Sequence, residues 1–544
     1  MASSQSGSGG GIDRRRMLKY AGAAAAAGVA GCGGGGGDGD TTTTTTSTTD
    51  ETTTTLSPQE GGRLNVGFES SLTGLDPHFT SSVVSWVVVY NMCETLITFQ
   101  DGAPAGRLVQ SWDISDDGLE YTFTLKEGVM FHPPTDRELV ADDVVYSFNR
   151  MAQEGAMGSD LAAMESVTAN GDYEVTFTMA EPFAPFFNFL ARITWVIVPQ
   201  EAVENQGGEL GDFQRPVGTG PFMMGEYQQG NFLDLEAFDG YRESEYPYLD
   251  KVRVRPIPDA SSRVSSIRAG DIDMARAVPG NNASTLQDAS DVDLIRQRGT
   301  GWAQVHINCS KDPWSNPAVR RAVAHVINRS AIVEAGVFGF GTAAWQPFPS
   351  ESIWNYDLGD AARQRDVDKA QQILEDAGNP LEGVTLQIEA NTQYQIMKST
   401  ADLLVAELNA AGIDAETKIN EWGTQLQRFV QKDYSCQAFS VPFKIDPDRH
   451  YYPFLAPDGP QYNQYFEDQP DAQRMYELVQ NGRSETEQSA RVDIYSELQK
   501  LINKNLPWIS VARTDDLVGL RTNFHGYQPW LLPYTRWWPM WKES

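Results

Sequence analysis

Histidines and short catalytic motifs are the first places to look for chemistry in this sequence. The six histidines, at positions 78, 132, 306, 325, 450 and 525, include no pair spaced four residues apart, the spacing of a helical metal-binding pair. The sequence lacks a G-x-S-x-G elbow, an H-E-x-x-H motif and a P-loop. A loose G-x-G-x-x-A run over residues 339–344 has no acid correctly placed about 20 residues further on. We therefore expect no enzyme, no metal site and no cofactor, and a surface hydrolase is the least favoured function.

Cys32 is the residue whose surroundings most clearly indicate a modification. Arg14 and Arg15 open a positive segment that ends at Lys19, an apolar stretch covers residues 20–30, and Val-Ala-Gly-Cys ends at Cys32. The stretch is shorter than the ~20 residues that span a bilayer. A positive segment, a short apolar segment and small residues at a cleavage position form an export signal. Residues 1–32 resemble a twin-arginine signal with a lipobox, which predicts lipid on Cys32 and attachment to the outer face of the cell membrane.

The segment after Cys32 is predicted to be a linker, and the remaining cysteines allow few disulfides. Residues 33–60 are rich in glycine and threonine, a composition typical of a flexible linker. If Cys32 carries lipid, three cysteines are left, at positions 93, 309 and 436, so at most one disulfide can form within the chain. Their spacing matches no zinc site.

The net charge of −31 arises from 73 acidic and 42 basic residues, of which only 12 are lysine. The acids are scattered along the chain, and a nucleic-acid-binding face would need basic patches. Two interpretations remain: an acidic site for cationic ligands, or a whole surface adapted to high salt, where screening weakens repulsion. The even distribution and the scarcity of lysine favour the second, a halophilic protein.

After residue 61, the spacing of apolar residues predicts individual strands and helices. Residues 63–68 and 121–125 alternate like strands, and residues 141–148 read as a helix with acids in its first turn. Residues 320–332 have apolar positions at helical spacing and predict one packed helix, and Gly378 predicts a helix end. No apolar run of about 18 residues follows the signal, so no transmembrane helix is expected there.

A series of landmarks runs in order through almost the whole of residues 62–544. The fullest is W-D-I-S-D-D-G-L-E-Y-T-F-T-L-K-E-G-V-M-F-H over residues 112–132. The others are A-D-D-V-V-Y-S-F (141–148), P-V-G-T-G-P-F (216–222), Y-x-x-x-x-Y-P-Y-L-D (241–250), A-G-D-I-D (269–273), Asn308 followed by P-A-V-R-R-A-V-A-H-V-I-N-R (317–329), K-A-Q-Q-I-L-E-D-A-G (369–378), Glu421-Trp422, Asp446-Pro447-Asp448 and Pro507. Their order and spacing strongly resemble the family 5 extracellular solute-binding proteins, the peptide, nickel and oligosaccharide receptors of ABC importers.

This resemblance implies an α/β fold of the periplasmic-binding-protein-like type II class, a two-lobe flytrap with an additional inserted domain. Lobe I would comprise residues 61–104, 215–308 and 511–544, the inserted domain 105–214, and lobe III 309–510. It also implies a monomer that captures a small-molecule or peptide ligand, closes its lobes and delivers the ligand to ABC permease subunits. Oligosaccharide or nickel binding, and a sensor in place of the permease, remain alternatives.

Aromatic side chains are the first candidates for the ligand pocket, because such pockets are concave and rich in aromatic residues. The resemblance places Trp422 at a position that faces ligand in peptide receptors. Trp86, Tyr90, Trp302 and Trp345 are further candidates, although aromatics dominate cores as well as interfaces.

One departure from the family concerns the recognition of a peptide amino group. Peptide-binding members carry an acid about three residues before the Asp-Pro, and here its place falls on Phe443 or Lys444, just before Asp446. A cation there repels an ammonium group and either meets a ligand carboxylate or points to solvent, the commoner position for lysine. We therefore expect peptides with a free amino group to bind poorly unless Asp446 or Glu421 takes over that role.

Overall fold

The structure is a computed structural model that describes residues 56–80, 82–100, 103–154, 163–442, 444–465, 468–530 and 534–543. The predicted signal 1–32, with Arg14, Arg15 and Cys32, lies outside the described residues, as do most of the linker and Phe443. Residues from Ser57 onward form one compact unit.

Groups of strands and groups of helices follow one another along the described part of this unit. The strands are β1 Arg63–Phe68, β2 Ile97–Gln100, β3 Ala103–Gly106, β4 Val109–Ile114, β5 Glu120–Leu125, β6 Met164–Ala169, β7 Glu174–Met179, β8 Phe222–Gln228, β9 Phe232–Ala237, β10 Lys251–Pro256, β11 Met274–Ala275, β12 Val292–Ile307, β13 Gly341–Ala343, β14 Leu386–Ala390, β15 Ala415–Ile419, β16 Cys436–Pro442, β17 Trp508–Arg521, β18 Phe524–His525 and β19 Trp541–Lys542. The α-helices are α1 Val83–Met92, α2 Ala141–Glu154, α3 Phe186–Leu190, α4 Gln200–Glu204, α5 Ala260–Ala269, α6 Gly280–Gln287, α7 Pro317–Val326, α8 Arg329–Val337, α9 Val367–Asp376, α10 Gln395–Ala410, α11 Trp422–Val430, α12 Asp448–Leu455, α13 Ala472–Ser484 and α14 Gln488–Asn505, with short 3-10 helices at Ile193–Trp195 and Gly359–Ala361.

One mixed sheet runs through the unit in the order β15-β14-β16-β12-β17-β11-β1-β10-β9-β8, with β13 paired to β17. Its parallel pairs are β14 with β15 and β16, and β1 with β10 and β11. A separate antiparallel sheet, β4-β5-β7-β6, lies within the predicted inserted domain, and β2 pairs with β3 in a hairpin.

Two buried hydrophobic cores are built around opposite ends of the long strands β12 and β17. The first core collects β1, α1, the β4–β7 sheet, β8–β10 and the C-terminal segment with Trp537. The second core collects residues 302–512, including α7, α10 and α14. A small third cluster packs α5 and α6 against Leu517. The domain boundaries given above stay a prediction.

The strands β12 and β17 pass from one core to the other. The first half of β12 pairs with residues 516–521, and its second half pairs with both β16 and residues 508–514. The register of the β12–β17 pair shifts between Gln297 and Gly301, and Gly299 in this irregularity has φ +71°. The sheet is therefore interrupted where the chain crosses between the two cores.

The patterns that predicted single elements are confirmed at β1, at β5 with its alternating burial, and at α2, which continues beyond residue 148 to Glu154. Gly378 follows the end of α9 with φ +78°, as expected for a helix end. The prediction of one helix over 320–332 is wrong. α7 ends at Val326, Ile327 takes ψ 122°, and the Asn328 side chain accepts from Ala331 N to start α8.

Cys93, Cys309 and Cys436 are buried free thiols in the described part of the chain. Burial raises the pKa of the Cys93 and Cys309 thiols above their ordinary value. None of the described helices combines the length and the apolar composition needed to cross a membrane.

Candidate ligand-binding site

A cleft of about 780 Å³ opens between the first and second cores. Its lining includes Trp86, Phe99 and Tyr534, which belong to or pack against the first core, and Trp422 and Phe439, which do the same for the second. The volume falls within the ~300–1,000 Å³ range of small-molecule sites. The cleft can therefore hold a solute that touches both sides.

The wall from the second core is aromatic. Trp422 is the first residue of α11, and its ring lies 5.0 Å from the ring of Tyr394 in an edge-to-face pair and 6.1 Å from that of Phe439. Ile396 and Leu426 extend the apolar surface. Such a wall can hold an apolar side chain, an aromatic ring or the flat face of a sugar.

Three half-buried cations meet in the same cleft: Arg192, Lys444 and Arg449. The guanidinium carbons of Arg192 and Arg449 lie 5.8 and 5.5 Å from the centroid of the Phe189 ring. Burial, together with repulsion by Arg449 and Arg192, lowers the pKa of Lys444 to about 7. We call these three residues the basic wall.

Asp446 lines the cleft but is bound within the protein. Arg491 donates to both of its carboxylate oxygens, at 2.7 and 2.8 Å, and Asn188 donates at 2.8 Å. The backbone N–H of Asp448 donates to it at 2.8 Å. Since the Asp446 side chain is only 1% exposed, it is poorly placed to receive a ligand ammonium.

Another part of the cleft lining has mixed polarity. Arg276 lies 3.9 Å from the carboxylate of Glu69, and its guanidinium lies over the Phe68 ring. Gln297 and Gly301, at the register shift of β12, also line the cleft.

The other predicted ligand residues lie in different places. Trp86 lines the cleft, where its indole N–H donates to the Thr80 carbonyl at 2.9 Å. Tyr90 is buried against Tyr534 and Trp538, and Trp302 is fully buried among His450, Phe454 and Trp508. Trp345 donates to the Arg363 carbonyl, away from the cleft. Glu421 is exposed before α11, outside the cleft lining.

Several lining residues were not found by reading the sequence. Arg449 stands in the D-P-D-R-H run beside Asp446, so its neighbourhood gave a signal. Arg192, Asn188, Tyr394 and Tyr534 belong to segments without a distinctive motif, and only the fold brings them to the cleft.

Comparison with known proteins decides the family. Residues 103–462, about two thirds of the chain, match the family described as bacterial extracellular solute-binding proteins, family 5 middle. The chain belongs to this family 5 of extracellular solute-binding proteins.

Two relatives and one solved structure illustrate how far the similarity extends. This solute-binding protein is 28% identical to heme-binding protein A of Haemophilus influenzae over 480 residues, covering 82% of this chain and 86% of that one. It is 26% identical to the glutathione-binding protein GsiB of Salmonella paratyphi A over 495 residues, covering 86% and 92%. The Helicobacter pylori periplasmic binding protein DppA, solved with the peptide STSA, is 27% identical, with a TM-score of 0.74 and coverage of 89% and 99%.

These comparisons confirm the type II periplasmic-binding-protein fold and the function of a substrate-binding protein of an ABC importer. Proteins of this kind bind peptides or small molecules and work with permease partners. Within the described residues no group of three or more His, Cys, Asp or Glu side chains is arranged to hold a metal ion.

Proposed function

We propose that this solute-binding protein captures a peptide-like or other small organic solute in the cleft and acts as a monomer without catalysing a reaction. The observation that carries the proposal is the cleft of about 780 Å³ with lining residues from both cores. The names of the glutathione-binding relative and of the peptide-bound DppA structure support peptides as the first class to test. Oligosaccharide or nickel binding, and a sensor as partner, are the alternatives.

We further propose that the predicted lobes move about the crossing strands β12 and β17. The register shift between Gln297 and Gly301 supports a hinge there, because interrupted pairing lets a strand bend. Ala184 N donates to the Arg483 carbonyl at 2.7 Å, and the Asn188 side chain donates to Asp446 at 2.8 Å. These contacts link the predicted inserted domain to the predicted lobe III, and we expect them to break when the lobes open.

The export route and anchor are a separate part of the proposal. Residues 14–32 support twin-arginine export and a lipid on Cys32 that holds the protein at the cell surface. Replacing Cys32 by serine should release the protein into the medium or leave the precursor uncleaved. If the Cys32→Ser protein stays with the membrane fraction as the wild type does, the anchor is wrong.

The test of solute capture is release of a bound molecule. Full-length protein purified from the cells that produce it should yield, on denaturation, an organic solute in near one-to-one ratio that mass spectrometry identifies. A protein that releases nothing, and that is not stabilised thermally by peptides, N-acetylated peptides, glutathione or oligosaccharides, would contradict solute capture.

A further inference from the structure

The basic wall is assembled from both sides of the cleft. Arg192 lies between α3 and the 3-10 helix at Ile193–Trp195, in the predicted inserted domain, whereas Lys444 and Arg449 lie at the end of β16 and the start of α12. Arg192 and Arg449 are brought together by the Phe189 ring, which each guanidinium approaches within 6 Å. A group bound here would therefore contact both halves of the molecule.

The backbone of Lys444 is held in place. The Nε2 atom of His450 lies 3.0 Å from the Lys444 amide nitrogen and 2.9 Å from its carbonyl oxygen. The Nζ atom of Lys444 makes no hydrogen bond or ion pair with the described part of the protein, although the side chain is only partly exposed. A lysine with this placement can donate to a bound molecule without giving up an internal partner.

The acids behind the basic wall are matched by other arginines. Asp446 pairs with Arg491, and the buried Asp448 lies 3.3 Å from Arg483. Arg449 also interacts electrostatically with Asp448. Lys444, by contrast, forms an ion pair with none of the described acids, so it adds a positive charge to this part of the cleft. In a partly buried cleft such charge favours an anion more strongly than it would in water.

We propose that the cleft selects a solute with a carboxylate or similar anionic group, held between Lys444, Arg192 and Arg449. The inference rests on the proposed capture of a solute in this cleft and specifies its charge. The aromatic wall at Trp422 would take the apolar part of the same molecule. N-blocked or acidic peptides fit this description, and free-amino peptides that place their ammonium here do not.

The anion site has a pH dependence that follows from the groups facing it. The pKa of Lys444 is about 7, so the lysine loses its charge as pH rises through neutrality. Burial raises the pKa of Asp448 to about 6, so this neighbouring acid gains negative charge over the same range. Burial lowers the pKa of Arg192 to about 9, so Arg192 stays mostly charged up to pH 8, and burial also lowers the pKa of Arg449. Burial lowers the pKa of His450 to about 3 and raises that of Tyr534 to about 12, so both stay neutral. Affinity for an anion should therefore fall from pH 6 to pH 8.

Three peptides that differ only at one end test the proposal by calorimetry with the full-length protein at pH 6.5. They are Ala-Ala-Phe amide with a succinyl group, with an acetyl group, or with a free amino group, which are anionic, neutral and cationic. We expect the succinyl peptide to bind at least about tenfold more tightly than the acetyl peptide, and the free-amino peptide to bind most weakly.

Variants of Lys444 test whether the preference for the anionic peptide arises at the basic wall. Lys444→Met should lower affinity for the succinyl peptide by about 10- to 100-fold and weaken its pH dependence, leaving the acetyl peptide unaffected. Lys444→Arg should keep the preference, and Lys369→Met, on the exposed face of α9, should change nothing. Equal binding of succinyl and acetyl peptides, tighter binding of the free-amino peptide, or an unchanged Lys444→Met protein would overturn the anion site.

If none of the three peptides binds, the anion site is tested by the charge of the solute that the purified protein releases. An anionic solute supports the site, and a neutral or cationic one overturns it while solute capture stands. A protein that releases no solute and binds none of the peptides overturns both.

Discussion

At the scale of single residues, Asp446 shows how an acid in a ligand cleft can serve the fold. Its carboxylate is enclosed by Arg491 and Asn188, and the pair with Arg491 is almost completely buried. A buried carboxylate with a matched guanidinium is retained because either charge alone would be strongly destabilising.

Asp446→Asn should lower the free energy of unfolding by ~3–5 kcal/mol, because it leaves the Arg491 guanidinium buried without its counter-charge. Urea denaturation measures the difference. The matched control is Glu497→Gln, which removes one partner of the exposed Arg474–Glu497 pair and should leave the denaturation midpoint unchanged. Equal midpoints for Asp446→Asn and the wild type would contradict this role.

Trp422→Ala should weaken binding of the released solute about tenfold or more, because the indole forms the aromatic wall with Tyr394 and Phe439. Calorimetry measures the affinity, and the melting temperature checks that the fold is intact. Trp345→Ala removes an indole outside the cleft and should leave the affinity as it is. If the two variants bind alike, Trp422 is not part of the site.

Site residues that lie in or near family landmarks could be predicted from the sequence, but their hydrogen-bond partners from distant parts of the chain could not. Trp422, Lys444 and Asp446 were predicted because they stand in or beside motifs, and all three line the cleft. The bond from Asn188 to Asp446 joins residues 258 positions apart, and nothing in either local sequence indicates it. Trp302 is a tryptophan like Trp422 and was a candidate for the ligand pocket for the same reason, but it is buried in the second core. Residue type alone does not separate the two cases, because aromatic side chains fill both cores and binding pockets.

At the scale of elements, the spacing of apolar residues predicted that a helix or strand is present better than it predicted where that element begins and ends. The apolar spacing continues from α7 into α8, so the sequence predicted one helix, but the Asn328 side chain caps a new helix and the chain turns. The crossing strands β12 and β17 are longer than any strand that the alternation alone predicted, and their pairing across two cores depends on distant segments.

Substitution of Gly299 tests the proposed hinge at the register shift of β12. It has φ +71°, and its N–H donates to Asp515 at 2.9 Å. Gly299→Ala should reduce stability by ~1–2 kcal/mol through backbone strain and also change the affinity for the released solute. Gly230→Ala, in the β8–β9 turn with φ +77° and equally open space, should reduce stability similarly and leave affinity unchanged. Identical affinities for the two variants would contradict a hinge at the register shift.

At the scale of the whole molecule, the charge of −31 predicts that the stability of the fold depends on salt concentration. The melting temperature should rise with KCl up to molar concentrations, because salt screens the repulsion between scattered acids. Sucrose at matched osmolality is the control for effects of water activity. A melting temperature that stays flat or falls between low and molar KCl would contradict adaptation to high salt.

The overall fold could be predicted because many weak landmarks occur in one order, and no single landmark is specific. The family match over residues 103–462 confirms that conclusion. The solute could not be predicted, because its recognition depends on side chains that only folding brings together, such as Arg192 with Arg449.

The central claim is that solute binds in the cleft between the two cores, and filling that cleft tests it most directly. Ser440 lines the cleft on β16, so Ser440→Trp should abolish calorimetric binding of the solute released from the wild type, which binds one-to-one. Ser261→Trp, at an exposed position of α5, should bind as the wild type does. Undiminished binding by a folded Ser440→Trp protein would contradict the account.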